Sequence, residues 1–301
     1  MTAPPAQHRH RSKGNYNPGV DDSRPIGLIA GEGRLPVVVA EGMQAAGRPV
    51  ACVAFRGHAD DDLESCCDRY RTVGLYRMGQ WLRTLKRWGA TEAVMVGRVS
   101  KARMHDPLRL VRQIPDLRSA LLWYRRLRHD RRNATVLAAI ADELDRGGIR
   151  LLDSTTFIED HLASEGVLGR TQPTDLQKAD IAFGWPLLTR TVDMDIGQSI
   201  AVREGDVIAV EALEGTTGMI ERAGGLCRRS GWTLLKTARK DHDRRADVPT
   251  IGVQTITELA AAGAGCIAIG TGQVILIDRP AVVEAADRAG IAIVGIADDG
   301  S

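Results

Sequence analysis

Residues Ile26 to Pro36 read IGLIAGEGRLP and give the clearest prediction of the fold class. Its first part, Ile26–Ala30, is a short uninterrupted apolar run of the kind that becomes a buried strand. Gly31-Glu32-Gly33 then predicts a tight turn, and a helix follows from Leu35 to Ala46 and ends at Gly47. A strand, a glycine turn and a helix in this order are typical of the first unit of a parallel α/β sheet.

The same alternation of strands and helices continues along the chain. In the first half we predict strands at Pro49–Phe55, Val73–Met78, Ala93–Val96 and Ile149–Leu152, and helices over Gln80–Trp88 and from a cap at Asn133 to Gly147. In the second half we predict helices over Asp175–Thr191, Met219–Ala223 and Pro280–Ala289, another helix opened by a Thr255–Glu258 capping box, and strands at Ser199–Val202, Val207–Val210, Leu234–Thr237, Cys266–Ile269, Val274–Ile277 and Ile291–Val294. Residues 153–173 contain no clear element.

These patterns predict a disordered tail and two α/β domains. Residues 1–24 are polar and lack apolar periodicity, which favours disorder. We expect one domain over residues 25–163, with a parallel sheet, and a second over residues 164–301, because the unpatterned segment lies between them. A chain of 301 residues is long enough for two such cores.

Composition limits the class of function. Lys and Arg number 40 against 38 Asp and Glu, so the net charge does not favour nucleic acid as a partner. Five cysteines without a CxxC pair indicate a reduced, cytoplasmic protein. No apolar run reaches the roughly 18 residues of a membrane span, so contact with a membrane would be peripheral.

One basic segment, Lys101–Arg132, departs from this balance with ten Lys or Arg against three Asp. Leucines interleave with its arginines, which suits an anionic membrane surface or a substrate with acyl chains. Nucleic acid is a weaker alternative because aromatic residues are few. An ordinary solvated helix pair explains the pattern equally well.

Two glycine-containing turns are candidate ligand contacts in the first domain. Gly31–Gly33 precedes a helix, where backbone N–H groups bind phosphate or sugar well, although a packed turn is an equally good interpretation. A dinucleotide fingerprint would need a third glycine where Pro36 stands, so we disfavour NAD. Arg98 and Ser100 follow the predicted strand ending at Val96, at the sheet edge where ligands gather.

The second half holds a denser set of acidic and basic side chains. Asp243 and Asp247 are interleaved with Arg239, Arg244 and Arg245, and Glu211 and Glu214 follow a predicted strand. Hard oxygen ligands suit Mg²⁺ or Mn²⁺, and arginine or lysine suits phosphate. This mixture is what phosphoryl chemistry needs, but no single spacing in it is diagnostic.

Several strings resemble the LpxI family. These are IGLIAGEGRLP at 26–36, VGRV at 96–99, DMDIGQS at 193–199, VIAVEALEGT at 207–216 and RADVPTIG at 245–252, in family order and spacing. The DIGQ, VEAxEGT and DxPTIG patterns carry most of the specificity.

The resemblance implies a Rossmann-like N-terminal domain packed against a family-specific C-terminal α/β domain, with the substrate between them. It implies hydrolysis of UDP-2,3-diacylglucosamine to UMP and 2,3-diacylglucosamine 1-phosphate (lipid X), by attack of water on the α-phosphorus with Mg²⁺ or Mn²⁺. Further expectations are a peripheral contact with the inner-membrane surface, a homodimer and no nucleic acid.

The resemblance also assigns residues. Asp247 occupies the position of the family's essential aspartate, and it is the expected catalytic residue. We expect metal ligands at Glu214, Asp243 and Asp247. The expected substrate contacts are Gly33, Val99, Ser100, Gln198, Lys236, Arg245 and Thr250.

Two departures from the family leave an alternative function open. Thr217 follows EGT where the family usually has Asp, and we expect Thr217 to cap a helix instead. Asn133-Ala134 replaces a short acidic pair. The alternative is a non-catalytic binder of a nucleotide sugar or lipid phosphate with the same fold. Hydrolysis of a different nucleotide diphosphate is a third hypothesis.

Overall fold

The computed structural model describes residues 23–57, 60–98, 114–128, 133–239, 243–245 and 248–297, with the backbone alone at Asp61, Asn133 and Ala134. Nearly all of the predicted tail therefore lies outside the described residues, as does most of the basic segment.

The first half of the chain forms a parallel sheet. Its strands are β1 (Ile26–Ala30), β2 (Val50–Phe55), β3 (Arg69–Val73), β4 (Glu92–Val96) and β5 (Arg150–Leu151), in the order β3-β2-β1-β4-β5. The helices of this half are α1 (Leu35–Ala45), α2 (Met78–Arg87), α3 (Leu117–Leu122), which a π-helical stretch over Trp123–Leu127 continues, and α4 (Asn133–Arg146). A 3₁₀ turn spans Asp61–Cys66.

Helices cover both faces of this sheet, which explains the uninterrupted apolar run of β1. Leu28 enters one hydrophobic core with the valines of α1, and Ile29 enters another with Trp81 and Leu82 of α2. Because successive side chains point to opposite faces, a strand that is buried on both sides must be apolar at every position.

The second half forms a mixed sheet. Its strands are β6 (Gly166–Leu168), β7 (Ser199–Arg203), β8 (Asp206–Val210), β9 (Trp232–Lys236), β11 (Ala264–Gly270) and β13 (Ala292–Ile296), in the order β6-β13-β11-β9-β7-β8. β9, β11 and β13 are parallel, whereas β6 and β7 pair antiparallel with their neighbours. The helices of this half are α5 (Asp175–Asp193), α6 (Gly215–Leu226), α7 (Val253–Ala261) and α8 (Arg279–Ala289). The fold class is therefore α/β, as predicted.

A two-stranded sheet, β10 (Thr250–Ile251) with β12 (Ile275–Leu276), joins the two halves. Ile275 is fully buried in the same core as α1 and β1, and Val248 and Ile277 pack against that core. The Arg279 side chain donates hydrogen bonds of 3.1 Å to the carbonyl oxygens of Asp160 and Leu162. The second half thus completes a core of the first.

The third predicted strand was wrong. We predicted it at Val73–Met78, but β3 spans Arg69–Val73, and Met78 begins α2. β3 is the edge strand, and its Arg69 and Arg71 side chains are exposed. An edge strand with a solvated face lacks the apolar run that marks the inner strands.

Two helix starts were also wrong. α6 begins at Gly215, so Thr217 lies inside the helix and does not cap it; its hydroxyl donates to Glu258 Oε2 at 3.1 Å. α7 begins at Val253, so Thr255 is its third residue, and Thr255 Oγ1 accepts a hydrogen bond of 3.4 Å from the Gly252 amide. Residues 153–173, predicted to lack regular structure, contain a 3₁₀ turn (Glu159–His161) and β6.

All five cysteines lie in the described residues and carry free thiols. Within the part of the chain that the structure describes, no helix has the length and apolar character to span a bilayer.

Candidate active site

The strand order of the first sheet reverses at β1. The chain proceeds from β1 through β2 to β3 on one side of β1 and continues with β4 and β5 on the other. In open α/β sheets, ligands bind beyond the carboxyl ends of the strands at such a reversal. The turns after β1 and β4, both predicted from the sequence as ligand contacts, lie at this position.

Backbone hydrogen bonds hold these two turns together. The amide of Glu32 donates to the carbonyl of Arg98 at 2.8 Å, and the amide of Arg98 donates to the carbonyl of Glu32 at 3.0 Å. A Cβ atom on Gly31 would lie 2.6 Å from the Arg98 carbonyl oxygen, so this approach requires glycine. The two turns therefore form one continuous floor.

Gly33 is a half-buried part of that floor with open space beside it. Its φ is +97°, and no atom lies within 4 Å of the position that a Cβ would occupy. A ligand can therefore approach the backbone there, at the start of α1. Val99 and Ser100, the other two contacts expected near this turn, lie outside the described residues.

The carboxyl edge of the second sheet carries a buried polar cluster of four residues, Ser199, Glu211, Thr216 and Lys236. Ser199 opens β7 opposite Lys236, which ends β9. The Lys236 side chain is almost completely buried, at 1% exposure, and so are those of Ser199 and Glu211. We call these four residues the Lys236 cluster.

Hydrogen bonds within the Lys236 cluster compensate its buried charges. Lys236 Nζ donates to Thr216 Oγ1 at 2.7 Å and to Ser199 Oγ at 3.3 Å. The Ser199 hydroxyl donates to Glu211 Oε2 at 2.5 Å, and the Thr216 hydroxyl donates to Glu211 Oε1 at 3.1 Å. Each hydroxyl thus links the ammonium to the carboxylate, which is the condition for burying both ions.

The Lys236 cluster lies at the first turn of α6, since Thr216 is the second residue of that helix. A helix N-terminus carries partial positive charge, and the buried ammonium adds a full one behind it. Predicted contacts Gln198 and Lys236 meet here, because the amide of Thr237 donates to the Gln198 carbonyl at 3.1 Å. This edge of the second sheet suits a phosphate group.

A close backbone contact positions the cluster. A Cβ on Gly197 would lie 2.0 Å from the carbonyl oxygen of Glu211, so the turn before β7 can pack against Glu211 only with glycine at this position. The preceding Asp195 has a φ of +58°, in the left-handed region. The DIGQS string is thus the backbone that brings Ser199 to Glu211.

Gly197→Ala tests this contact. We expect it to lower the free energy of unfolding by about 1–3 kcal/mol, because the added methyl group must displace the Glu211 backbone. Urea denaturation measures the loss. Gly225→Ala is the matched control: nothing lies within 4 Å of its Cβ position in α6, so alanine there should stabilise the helix by up to about 1 kcal/mol. Equal effects of the two substitutions would contradict the close contact.

Glu214, a predicted metal ligand, is engaged elsewhere. Its carboxylate accepts a hydrogen bond of 2.5 Å from Arg222, whose guanidinium also donates to the Val210 carbonyl. A hydrogen bond from its own backbone amide and the pairing with Arg222 lower the pKa of Glu214. Glu211 is the glutamate that the hydroxyls of Ser199 and Thr216 link to Lys236, and metal binding by Glu214 stays a prediction.

Asp243 and Arg245, predicted as metal ligand and phosphate contact, pair with each other. Arg245 donates from Nε to Asp243 Oδ1 at 2.8 Å and from a terminal nitrogen to Oδ2 at 2.5 Å. This two-point hydrogen bond raises the pKa of Arg245. The pairing keeps positive and negative groups side by side on one short segment.

That segment is anchored to the carboxyl edge of the first sheet. Arg244 donates to Thr155 Oγ1 at 2.8 Å and lies 3.3 Å from a carboxylate oxygen of Asp153. The Arg244 carbonyl accepts from the amide of Ser154 at 2.9 Å. Asp153–Thr155 directly follows β5, so residues 243–245 lie beyond the end of that strand.

The residues that follow Asp247 in the DxPTIG string are anchored as well. Pro249 is buried, its carbonyl accepts from the Ile275 amide at 2.9 Å, and Thr250 pairs with Ile275 in the small sheet. Asp247 itself lies outside the described residues. Among the residues that are described, no group of three His, Cys, Asp or Glu side chains is placed to hold a metal ion, so the metal ligand set stays a prediction.

The two carboxyl edges are near each other. Thr237 is hydrogen bonded at the second edge and Asp243 lies at the first, six residues further along the chain. Six residues span at most about 22 Å. The segment anchored after β5 therefore lies within that distance of Thr237, the residue after Lys236.

Comparison with known proteins matches both halves of the chain to one family. Residues 25–161 match the model of the LpxI N-terminal domain, and residues 164–294 match that of the LpxI C-terminal domain. Over 282 residues the chain is 32% identical to the UDP-2,3-diacylglucosamine pyrophosphatase LpxI of Caulobacter vibrioides, covering 91% of this chain and 98% of that protein. The chain belongs to the LpxI family. The resemblance found in the sequence strings is therefore confirmed along both halves.

The LpxI strings coincide with the parts that build the site. DIGQS contains Ser199 and VIAVEALEGT contains Thr216, two residues that were not predicted from the sequence, together with Glu211, which was named among the acidic candidates but given no role. Their signal was membership in these strings together with a position near a strand end, whereas Glu214 was assigned from its place in the VEAxEGT pattern. Lys236 was selected and lies at the centre of the cluster.

Proposed function

We propose that this LpxI-family chain hydrolyses UDP-2,3-diacylglucosamine to UMP and 2,3-diacylglucosamine 1-phosphate (lipid X), by attack of water on the α-phosphorus. The observation that carries the proposal is the match to a pyrophosphatase of that name over nearly its whole length. The polar groups at both carboxyl edges support it, because a diphosphate with a nucleoside on one side and an acylated sugar on the other needs an elongated site.

In this proposal the chain's own residues orient the diphosphate. The open Gly33 backbone at the start of α1 accepts one polar end of the substrate. The N-terminus of α6, with the Lys236 ammonium fixed behind it, stabilises negative charge on a phosphoryl group. Asp247 orients the attacking water or binds the metal ion, and Arg245 balances the phosphate charge. Preorganised charges of this kind act without rearrangement during the reaction.

A divalent cation fits the donor chemistry of this region. Asp153 and Asp243 place carboxylate oxygens at the first edge beside the segment that carries Asp247. Hard oxygen ligands of this type prefer Mg²⁺ or Mn²⁺. When bound, such an ion would neutralise charge on the phosphoryl oxygens. Glu214 and Asp243 are each paired with arginine here, so either would exchange that partner to bind a metal.

Metal removal is the test of this reaction. We expect the purified chain to release UMP from UDP-2,3-diacylglucosamine with Mg²⁺ or Mn²⁺, and to lose this activity in EDTA, because the phosphoryl charge is then uncompensated. Chromatographic quantification of UMP measures the result. Release that is unchanged in EDTA would contradict the metal-dependent proposal.

A non-catalytic binder of the same fold is the alternative, and Thr217 motivates it. The structure shows the Thr217 hydroxyl on Glu258 of α7 and not in the Lys236 cluster. We therefore infer that the absence of the family aspartate leaves that cluster intact. If UMP or lipid X raises the melting temperature while no metal supports UMP release, the chain is a binder and the hydrolase proposal fails.

A further inference from the structure

A cavity rich in arginine lies on the outer side of α2, beside the edge strand β3. Its volume is about 480 Å³. The residues that line it are Arg71, Arg77, Gln80, Arg83, Thr84, Arg87, Ile114, Pro115 and Asp116. The proposed hydrolase mechanism uses none of them.

The cavity is strongly positive. Arg71, Arg77, Arg83 and Arg87 are all exposed, and no ion pair joins any of them to another described residue. Asp116 is the acidic residue in the lining, and its Oδ1 already accepts the Ser119 amide at 2.9 Å. Four arginines around one cavity repel each other, and phosphate oxygens relieve that repulsion through charge-assisted hydrogen bonds.

An apolar stripe on α3 adjoins the cavity. Leu117, Leu121 and Tyr124 follow one another at helical spacing and all face solvent, with Leu117 85% exposed. Ile114, 63% exposed, connects the stripe to the cavity that it lines. On the opposite side of α3, the Leu122 side chain is buried.

Contacts with α2 fix this stripe beside the arginines. The amide of Met78, at the start of α2, donates to Ser119 Oγ at 3.0 Å, and the amide of Asp116 donates to the Tyr76 carbonyl at 3.1 Å. The arginine cavity and the apolar stripe therefore form one composite surface. We call it the α2–α3 surface.

We propose that the α2–α3 surface docks the protein on a bilayer that contains anionic phospholipids. Phosphate headgroups would enter the arginine cavity, while Leu117, Leu121 and Tyr124 enter the boundary between headgroups and acyl chains. Charge complementarity and the apolar stripe together favour this partner. A free polyanion would need the arginines but not the exposed leucines, which favours a lipid partner.

Sedimentation with vesicles tests the proposal on the full chain. We expect binding to vesicles that mix phosphatidylcholine with phosphatidylglycerol, weakening at high salt, and little binding to phosphatidylcholine alone. Arg83→Glu with Arg87→Glu should reduce binding at least about tenfold, since both side chains lie on the cavity face of α2. Leu117→Ser with Tyr124→Ser should also reduce it, without changing the charge.

The matched control reverses two arginines elsewhere. Arg228 and Arg229 are exposed in the second half of the chain, and changing both to glutamate alters the net charge equally. This variant should bind vesicles like the original chain. Equal losses in the two double variants, or no vesicle binding at all, would overturn the proposal. Binding of inorganic phosphate or RNA by the same arginines, without vesicle binding, would overturn it as well. UMP release is measured separately with substrate dispersed in detergent, where no bilayer is needed. Failure of docking and failure of hydrolysis can therefore be distinguished.

Discussion

Asp247→Asn should reduce UMP release by about a hundred- to ten-thousandfold, the range found when a group acting on protons in the transition state is removed. The asparagine keeps the shape of the side chain and removes its charge, so water or a metal ion would lose its carboxylate partner. The flanking segments are held by Arg244 and by Pro249, and we therefore expect the melting temperature to stay unchanged. Steady-state UMP release and thermal unfolding of the same preparation measure both effects.

Asp175→Asn provides the control for Asp247→Asn. Asp175 is fully exposed in the first turn of α5, where its partner is Lys178, and it belongs to none of the site strings. The same change of one charge should leave UMP release within about twofold, as expected of an exposed ion pair. A fully active Asp247→Asn enzyme would remove Asp247 from the mechanism and leave the family's string without its proposed role.

In the first sheet, the inner strands, which are buried on both faces, could be predicted from the sequence. β1, β2 and β4 read as unbroken apolar runs because helices cover both sides of the sheet. β3 was misplaced because Arg69 and Arg71 face solvent at the edge of the sheet. One of the two arginines that obscured β3, Arg71, also lines the cavity of the proposed docking surface. Its exposure therefore hid the strand in the sequence and contributes positive charge to the α2–α3 surface.

Helix starts were harder to predict because they depend on contacts distant in sequence. Thr217 has the right chemistry for a cap, but α6 already begins at Gly215 and the Thr217 hydroxyl finds Glu258 instead. A local pattern of a polar residue before an apolar run does not reveal which of two nearby residues opens the helix.

The site could be predicted only in part, for a similar reason. Lys236 and Gln198 are 38 residues apart in sequence, and their meeting depends on the pairing of β7 with β9. Glu211 and Glu214 have the same type of side chain. Only the packing of Gly197 against Glu211 shows which of the two is buried. Residue types predicted phosphate chemistry, whereas strand pairing determined the members of the cluster.

Lys236→Met should lower the free energy of unfolding by about 3–5 kcal/mol, because it removes the buried ammonium that Ser199 and Thr216 link to Glu211 and leaves the charge of that carboxylate without compensation. In the structure Glu211 is 5% exposed, and its remaining partners would be the hydroxyls of Ser199 and Thr216. Two hydroxyls can satisfy the hydrogen bonds of a carboxylate but cannot balance its charge. Urea denaturation measures the loss, and UMP release should fall as well because α6 would lose the ammonium behind its N-terminus.

A double variant distinguishes the loss of charge balance from the loss of side-chain packing. Lys236→Met combined with Glu211→Leu removes both charges, so it should be more stable than Lys236→Met alone, with a coupling of about 0.5–3 kcal/mol. Lys178→Met is the control for losing a lysine: its exposed ion pair with Asp175 should contribute less than about 1 kcal/mol. If Lys236→Met were no more destabilising than Lys178→Met, the ammonium could not be buried against Glu211. The DIGQS and VEAxEGT strings would then need a reason other than the Lys236 cluster for lying side by side.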